Sequence, residues 1–180
     1  RNKVMYAFNA DLIKAFDRMS RARVYNSIES PLLAEIMLSF MDRSEAPYII
    51  GWRGLYHVID RSTWNRGVEP GSVLGPQLFN LGLRDSELYK RSVTKNLYAD
   101  DGLPLYRSID PLVSDAIDFF RNIYASEMSI HVEGDSCRPS CDKVANFLVF
   151  GSTPGNYVPD SVLLDTRCPA GDVTIKREFI

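Results

Sequence analysis

The first half of the chain alternates between two patterns of hydrophobic and polar positions. Apolar and aromatic residues run together where a strand is expected, and they recur every three to four residues where a helix is expected. This pattern predicts a strand over residues 3–10, helices over 12–28 and 31–42, and a hairpin over 46–60. Ser30 and Pro31 support the second helix, because a serine cap and a first-turn proline are typical of helix starts.

The second half continues the alternation with shorter strands. It predicts a helical segment over 71–90, strands over 95–99 and 103–107 around a turn at 100–102, a helix over 110–130 and a strand over 144–151. The tail that follows is rich in Gly, Pro and Asp, and no element is predicted there. Because hairpins are frequent between the helices, we predict an α+β fold with an antiparallel sheet covered by helices on one face.

Composition narrows the class of protein. The 180 residues suit one compact domain, and 45% apolar with 24% charged residues argue against disorder. The apolar runs fall far short of the roughly 20 residues needed to cross a bilayer, so we expect a soluble domain without a membrane span. Lys and Arg number 21 against 23 Asp and Glu, whereas proteins that bind nucleic acid unaided usually carry a basic excess.

Three cysteines, Cys137, Cys141 and Cys168, bear on the compartment. An odd number favours free thiols in a reducing compartment over a disulfide framework. We expect an intracellular protein of the nucleus or an organelle, and the cysteines do not distinguish the two. His131 could join them in a zinc site, but no CxxC pair is present, so free thiols are the expected state.

The segment Tyr98-Ala99-Asp100-Asp101 places two adjacent carboxylates between apolar strands. Like charges about 4 Å apart repel by about 4 kcal/mol at an effective dielectric of 20. A hairpin turn in water could tolerate the pair for purely structural reasons. Alternatively, the turn presents carboxylate oxygens to a hard divalent cation such as Mg²⁺.

Asp11 supplies a third carboxylate, in the segment that reads FNADLIKAFD. It follows the first predicted strand, so it could lie beside Asp100 if the two strands are neighbours. Three carboxylates at the ends of adjacent strands can hold two metal ions for a phosphoryl displacement.

With both segments in view, the chain resembles reverse transcriptases, especially those of non-LTR retroelements (retrotransposons) and group II introns. The resemblance is carried by DLIKAFD (first palm motif), GVEPGSVLGPQLFN (glycine-rich stretch and helix), YADD (catalytic hairpin) and CDKVANFLVFG (lysine motif and strand). It implies a polymerase palm over residues 1–151, with 152–180 as a C-terminal extension of the same domain.

The resemblance also implies roles for single residues. Asp11 and Asp100 match the principal ligands of two Mg²⁺ ions, with Asp101 as the neighbouring carboxylate. The Leu12 carbonyl would complete the coordination of the nucleotide-side ion. Lys143 matches a lysine near the leaving pyrophosphate, although a solvated loop lysine is an equally good interpretation.

Three further positions concern the substrate, and a fourth, Asp17, does not. Phe16 matches an aromatic residue under the incoming sugar, where a ring leaves no room for a 2′-hydroxyl; a core phenylalanine is the alternative. Gly71 lies in the nucleotide-pocket motif, and Tyr98 would pack beside the turn and line the template–primer track. Asp17 is better explained as a first-turn helix aspartate than as a metal ligand.

The chain departs from the family pattern at two motifs. Glu69-Pro70-Gly71 stands where the family has Pro-Gln-Gly, which removes an amide side chain and a backbone N–H and adds a negative charge. We expect weaker nucleotide binding. Gly102 and Pro104 follow the aspartates, where an unbroken strand is usual, so we expect a bent hairpin. Too few residues flank the motifs for fingers and thumb, so the expected fold is a palm lacking both.

Two functions from different classes follow. One is a nucleotidyltransferase, an RNA-directed DNA polymerase that uses an RNA template, a DNA primer and Mg²⁺. The alternative is a non-catalytic structural subunit, derived from a retroelement, that binds protein partners in a larger assembly. Aromatic residues of the predicted hairpin region could serve that interface: Tyr48, Trp52, Tyr56 and Trp64. RNA binding without catalysis is a third, weaker option.

Overall fold

The computed structural model describes residues 4–43, 48–52, 55–59, 66–68, 71–83, 88–98, 101–128, 130, 145–151, 158–168 and 171–178. The elements in chain order are β1 (Met5–Asn9), α1 (Ala15–Arg18), α2 (Arg21–Asn26), α3 (Pro31–Arg43), β2 (Tyr48–Trp52), β3 (Leu55–Ile59), α4 (Gly75–Leu83), β4 (Leu97–Tyr98), β5 (Asp101–Gly102), β6 (Leu105–Tyr106), α5 (Ile109–Ala125), β7 (Asn146–Phe150), β8 (Ser161–Asp165) and β9 (Asp172–Glu178). The chain forms two compact units, Arg1–Ala15 with Ser86–Ile180, and Phe16–Asp85.

The first unit is built on a five-stranded sheet in the order β6-β1-β7-β9-β8. Three of its ladders are antiparallel, but β7 and β9 pair in parallel. The α+β prediction is therefore confirmed, whereas the prediction of a purely antiparallel sheet is wrong. The parallel ladder arises because β8 and β9 form a hairpin from the tail in which no element was predicted, and β9 joins the sheet beside β7.

One face of this sheet is covered by α5. Phe8 of β1 and Phe119 of α5 are both buried, and their rings meet edge to face with centroids 5.8 Å apart. Phe120 and Ile123, which the pattern predicts to face inward, are fully buried, and Ile117 is half-buried. Burying such side chains removes apolar surface from water, which is the main source of stability for a helix on a sheet.

The opposite face carries the alternate side chains of the strands. Ala7 pairs with Leu105 on one side and Leu148 on the other, so these three lie on the face away from Phe8. Helix α5 is the only helix among the described residues of this unit, and within the unit helical cover is therefore confined to the Phe8 face.

The second unit packs α2 against α3 and α4. The predicted helix over 12–28 is instead two short helices, α1 and α2. Their separation has a direct cause: the carbonyls of Phe16 and Met19 accept hydrogen bonds from Val68 and Gly67, each at 2.8 Å, rather than continuing one helical ladder. Gly82 of α4 lies so close to Met19 that an added Cβ would collide with the sulfur.

Helix ends also differ from the pattern. Helix α4 spans only part of the predicted segment 71–90. Helix α5 ends at Ala125, and two residues later Glu127 has a positive φ of 57°, which a helix cannot contain. Among the described residues, no helix combines the length and the apolar character needed to cross a bilayer.

Candidate functional site

The hairpin that carries the YADD segment has a shorter turn than the pattern predicts. Tyr98 of β4 pairs with Asp101 of β5, so the strands are joined by the two residues 99 and 100. The predicted turn over 100–102 is wrong in this respect, because Asp101 and Gly102 belong to β5. Asp100 lies outside the described residues.

The hairpin continues beyond β4 and β5 in the same register. The N–H of Leu103 donates to Asn96 at 2.8 Å, and the N–H of Leu105 donates to Thr94 at 3.2 Å. Pro104 lies between these two bonds, and the pairing is unshifted on either side of it. Its missing N–H falls on the edge that faces β1, where its carbonyl accepts from Phe8 at 3.4 Å. The proline therefore separates β5 from β6 without changing which residues face each other.

Strand β1 lies directly beside this hairpin. Tyr6 pairs with Tyr106 and Ala7 with Leu105, and β5 also lies alongside β1. Asp11 is the second residue after β1 ends, and it is half-buried; Asp101 is exposed. Strand β5, which begins at Asp101, contacts β1 but pairs with β4 in a two-stranded sheet of its own. The prediction concerned Asp11 and Asp100, and it stays a prediction, because Asp100 lies outside the described residues.

Leu12 has a structural role in the first unit. Its side chain is 4% exposed, and it forms an isolated antiparallel bridge with Ile130, beyond the end of α5. The Asp11 segment is thus held from both sides, by β1 before it and by this bridge after it. The metal-ligand role of the Leu12 carbonyl stays a prediction.

Strand β7 enters the sheet next to the end of β1. Asn146, its first residue, pairs with Asn9, and its side-chain N–H donates to the carboxylate of Glu178 on β9. The side-chain amide oxygen of Asn146 (Oδ1) is buried and has no hydrogen-bond partner among the described atoms. Lys143 precedes this strand by three positions and lies outside the described residues.

Phe16 and Gly71 belong to the second unit. The Phe16 ring is half-buried and packs at 5.0 Å and 32° against the fully buried ring of Phe79. It therefore contributes to the core of that unit while part of its surface stays accessible. Gly71 has a φ of +82° and open space around it, so its backbone conformation, not crowding, is what favours glycine. Asp17 is exposed in the short helix α1.

The hydrophobic pattern did not predict a charged cluster of Asp115, Arg91 and Asp118, in which only Asp115 is buried. Asp115 of α5 is 1% exposed and accepts from the Arg91 backbone N–H at 2.9 Å and from Arg91 Nη1 at 2.7 Å. Arg91 Nη1 also donates to Asp118 at 2.8 Å. The signal was present in the sequence, because Asp115 shares the inward face of α5 with Leu112 and Phe119, three positions before it and four after it.

Two tyrosines adjoin this carboxylate. Burial raises the pKa of Tyr89 and of Tyr106 well above the ordinary value, and the negative charge of Asp115 raises both further. The Tyr106 hydroxyl is buried and lacks a hydrogen-bond partner of good geometry among the described atoms. The hydrogen bonds to Asp118 and then to Asp115 raise the pKa of Arg91 in turn.

Among the described residues, no group of three or more His, Cys, Asp or Glu side chains is arranged to hold a metal ion. Asp101 and Asp11 belong to the described part, and the third predicted ligand does not. Comparison with protein-family models finds no match to this chain, and no curated protein matches it either.

Proposed function

We propose that this chain is a reverse-transcriptase-like palm that performs Mg²⁺-dependent nucleotidyl transfer, with RNA-directed DNA synthesis as the reaction. The observation that carries the proposal is the pairing of β1 with the YADD hairpin. Segments far apart in the sequence thereby become neighbours: β6 pairs with β1, and β5, which pairs with β4 in a separate two-stranded sheet, contacts β1. A chance occurrence of the tetrapeptide would not require this arrangement.

The register of the two strands supports the proposal further. Ala7 faces Leu105, and Phe8 bonds to Pro104. The ladder itself ends there, but if the same register continued past the end of β1, Asp11 would face Asp101. Residues that face each other across an antiparallel ladder have Cα atoms roughly 4.5–5.5 Å apart. Two carboxylates at that spacing, on the same side of the sheet, can share a cation.

The donor set fits Mg²⁺. This ion prefers carboxylate oxygens together with water and substrate phosphates, and Asp101 is exposed while Asp11 is half-buried. Asp11, Asp100 and Asp101 would hold the ions, which when bound supply charge neutralisation for an attacking and a leaving oxygen. The chain's own contribution is positional: β1 and the bridge of Leu12 to Ile130 fix the segment that carries Asp11.

Lys143 and Phe16 complete the proposal on the substrate side. Lys143 lies outside the described residues, and its proposed role, to neutralise charge on the leaving pyrophosphate, rests on the resemblance of its motif. Phe16 would exclude a 2′-hydroxyl, and its packing against Phe79 would hold the ring in place for that task.

A second candidate function, a structural subunit that binds a protein partner, is favoured by a different observation. Helix α3 leaves three apolar side chains exposed: Leu32 at 67%, Leu33 at 45% and Ile36 at 42%. Clustered exposed apolar side chains are typical of interaction surfaces. The substituted Glu69-Pro70-Gly71 motif points the same way, because it weakens the expected nucleotide pocket.

The two functions are separated by primer extension on an RNA template with deoxynucleotides and Mg²⁺, using the complete natural protein. The catalytic proposal expects incorporation that Asp101→Asn abolishes and Asp17→Asn preserves, since Asp17 is exposed in α1 and is not a ligand. Magnesium should also raise the melting temperature of the wild type and of Asp17→Asn, but not of Asp101→Asn. Absence of both incorporation and a Mg²⁺ effect would reject the catalytic function and leave the structural one.

A further inference from the structure

A buried carboxylate lies at the base of the hairpin whose tip carries Asp101. Asp115 is 1% exposed, and both of its oxygens accept hydrogen bonds from Arg91. A carboxylate removed from water is costly unless it is paired and hydrogen-bonded, and charge-assisted hydrogen bonds are the strong ones. The backbone and the side chain of Arg91 are therefore both held against α5.

Arg91 leads directly into the first strand of the hairpin. Two residues later, the N–H of Val93 donates to the carbonyl of Leu105 at 2.7 Å. Val93 and Thr94 thus both bond to Leu105, which is a one-residue shift of register. From Thr94 onward a single register runs to Tyr98, opposite Asp101. Fixing Arg91 on α5 thus fixes the start of the strand that faces Asp101.

The second strand of the hairpin meets the same carboxylate. Tyr106 ends this strand, is fully buried, and its hydroxyl lies close to Asp115. Asp115 thus adjoins both strands at the open end of the hairpin, while Asp101 lies at the other end of its second strand.

We propose that Asp115 is a positioning residue for the metal site, because it clamps the base of the hairpin and so sets where Asp101 lies relative to Asp11. This role rests on the proposed nucleotidyl-transfer function. Asp115 touches neither substrate nor metal in this arrangement. It acts through Arg91 and the ladder that follows.

Asp118 provides a matched control on the same helix. It also accepts a hydrogen bond from Arg91 Nη1, at 2.8 Å, but its side chain is 42% exposed, whereas the backbone N–H of Arg91 donates to Asp115. Loss of Asp118 removes a surface ion pair, which is worth little. Loss of the Asp115 carboxylate removes an acceptor for the backbone of the hairpin itself.

The test compares Asp115→Asn with Asp118→Asn in the full chain, by Mg²⁺ titration and by amide hydrogen exchange. Asparagine keeps the size of Asp115, but its NH₂ group cannot accept from Arg91, so both bonds cannot form together. Asp115→Asn should weaken Mg²⁺ binding about three- to thirtyfold. It should also speed exchange at Leu103 and Leu105 relative to Leu164 of β8. Asp118→Asn should leave both readings at the wild-type level.

The outcomes are distinguishable. If the wild type binds Mg²⁺ and Asp115→Asn binds it equally well, the positioning role is overturned while the proposed function stands. If the two variants weaken binding equally, the effect is one of net charge and the role is again overturned. If the wild type binds no Mg²⁺, both the proposed function and the positioning role of Asp115 are rejected.

A second variant covers the case in which Asp115→Asn does not fold. Arg91→Ala keeps the backbone hydrogen bond to Asp115 but removes the Nη1 bridge at an exposed position. A smaller loss of Mg²⁺ affinity is expected, and unchanged affinity in folded Arg91→Ala would overturn the role.

Discussion

Tyr98 and Asp101 face each other across the β4–β5 ladder and close a two-residue turn. This pair fixes Asp101 in a strand, so its backbone direction is set by the hairpin rather than by a loose turn. The adjoining strand β1 ends close to Asp11. The pairing of Tyr98 with Asp101 therefore fixes the backbone of Asp101 at the start of β5.

The aromatic contact between β1 and α5 should be a main source of stability for the first unit. Phe8→Ala should lower the free energy of unfolding by about 3–5 kcal/mol, because a fully buried ring is replaced by a cavity. Urea denaturation measures this loss. A double-mutant cycle with Phe119→Ala should return a coupling energy of about 0.5–1.5 kcal/mol for the edge-to-face pair. Strict additivity of the two losses would contradict the contact.

Stability should fall at alkaline pH because of Tyr106. Burial, and then the charge of Asp115, raise its pKa in the folded state above the value of about 10 found in unfolded chains. The unfolded phenol ionises first, so the stabilisation is complete below pH of about 10 and declines as the pH rises above it. Thermal unfolding across this range measures the slope.

Tyr106→Phe is the matched control for that pH dependence. It removes the ionising group and keeps the ring, so the alkaline slope should become shallower. At neutral pH it should unfold at the same or a higher temperature, because the hydroxyl that it removes is buried without a well-formed hydrogen bond. A large loss of stability at neutral pH would show that the hydroxyl makes a valuable bond to Asp115.

The cost of replacing Gly71 should depend on how readily the new residue adopts a positive φ. Its φ is +82° and no atom lies within 4 Å of an added Cβ. Gly71→Ala should therefore cost about 1–2 kcal/mol through the left-handed conformation alone. Gly71→Asn should cost less, because asparagine visits this region more readily. Equal losses in chemical denaturation for the two variants would point to crowding instead.

Phe16 allows the sugar-selection hypothesis to be separated from packing. If the ring excludes a 2′-hydroxyl, Phe16→Val should raise ribonucleotide incorporation relative to deoxynucleotide incorporation. The matched variant is Phe79→Leu, which weakens the packing that holds the Phe16 ring but leaves the ring itself, so the ratio should rise less than in Phe16→Val. If both variants change stability and neither changes the ratio, Phe16 is only a core residue.

Local patterns predicted most of the elements, and they were least accurate where distant segments meet. Strand β1, helix α3 and strand β7 agree with their predicted positions to within a few residues, because each has a clear period and clear flanking signals. The split between α1 and α2 was not predictable, since it depends on hydrogen bonds from residues 67 and 68.

The tail contains an alternation of apolar and polar residues that is typical of strands, yet no strand was predicted there. Val162 and Leu164 alternate with exposed residues in β8, as Val173 and Ile175 do in β9. The Gly, Pro and Asp residues around them are typical of loops, so the composition of the segment favours a loop although the alternation favours strands. Their place in a parallel ladder with β7 could not follow from the alternation, because a period of two is the same in parallel and antiparallel strands.

The amino-acid sequence by itself determined which residues could do chemistry here: the acidic groups of the YADD and DLIKAFD segments, and the α+β alternation around them. Only the tertiary structure decided that β1 lies against the hairpin, that β9 runs parallel to β7, and that Asp115 lies beneath the base of the hairpin. The physical reason is that periodicity reports which side of an element is buried. The choice of partner depends on strand pairing and side-chain packing between segments that are far apart along the chain.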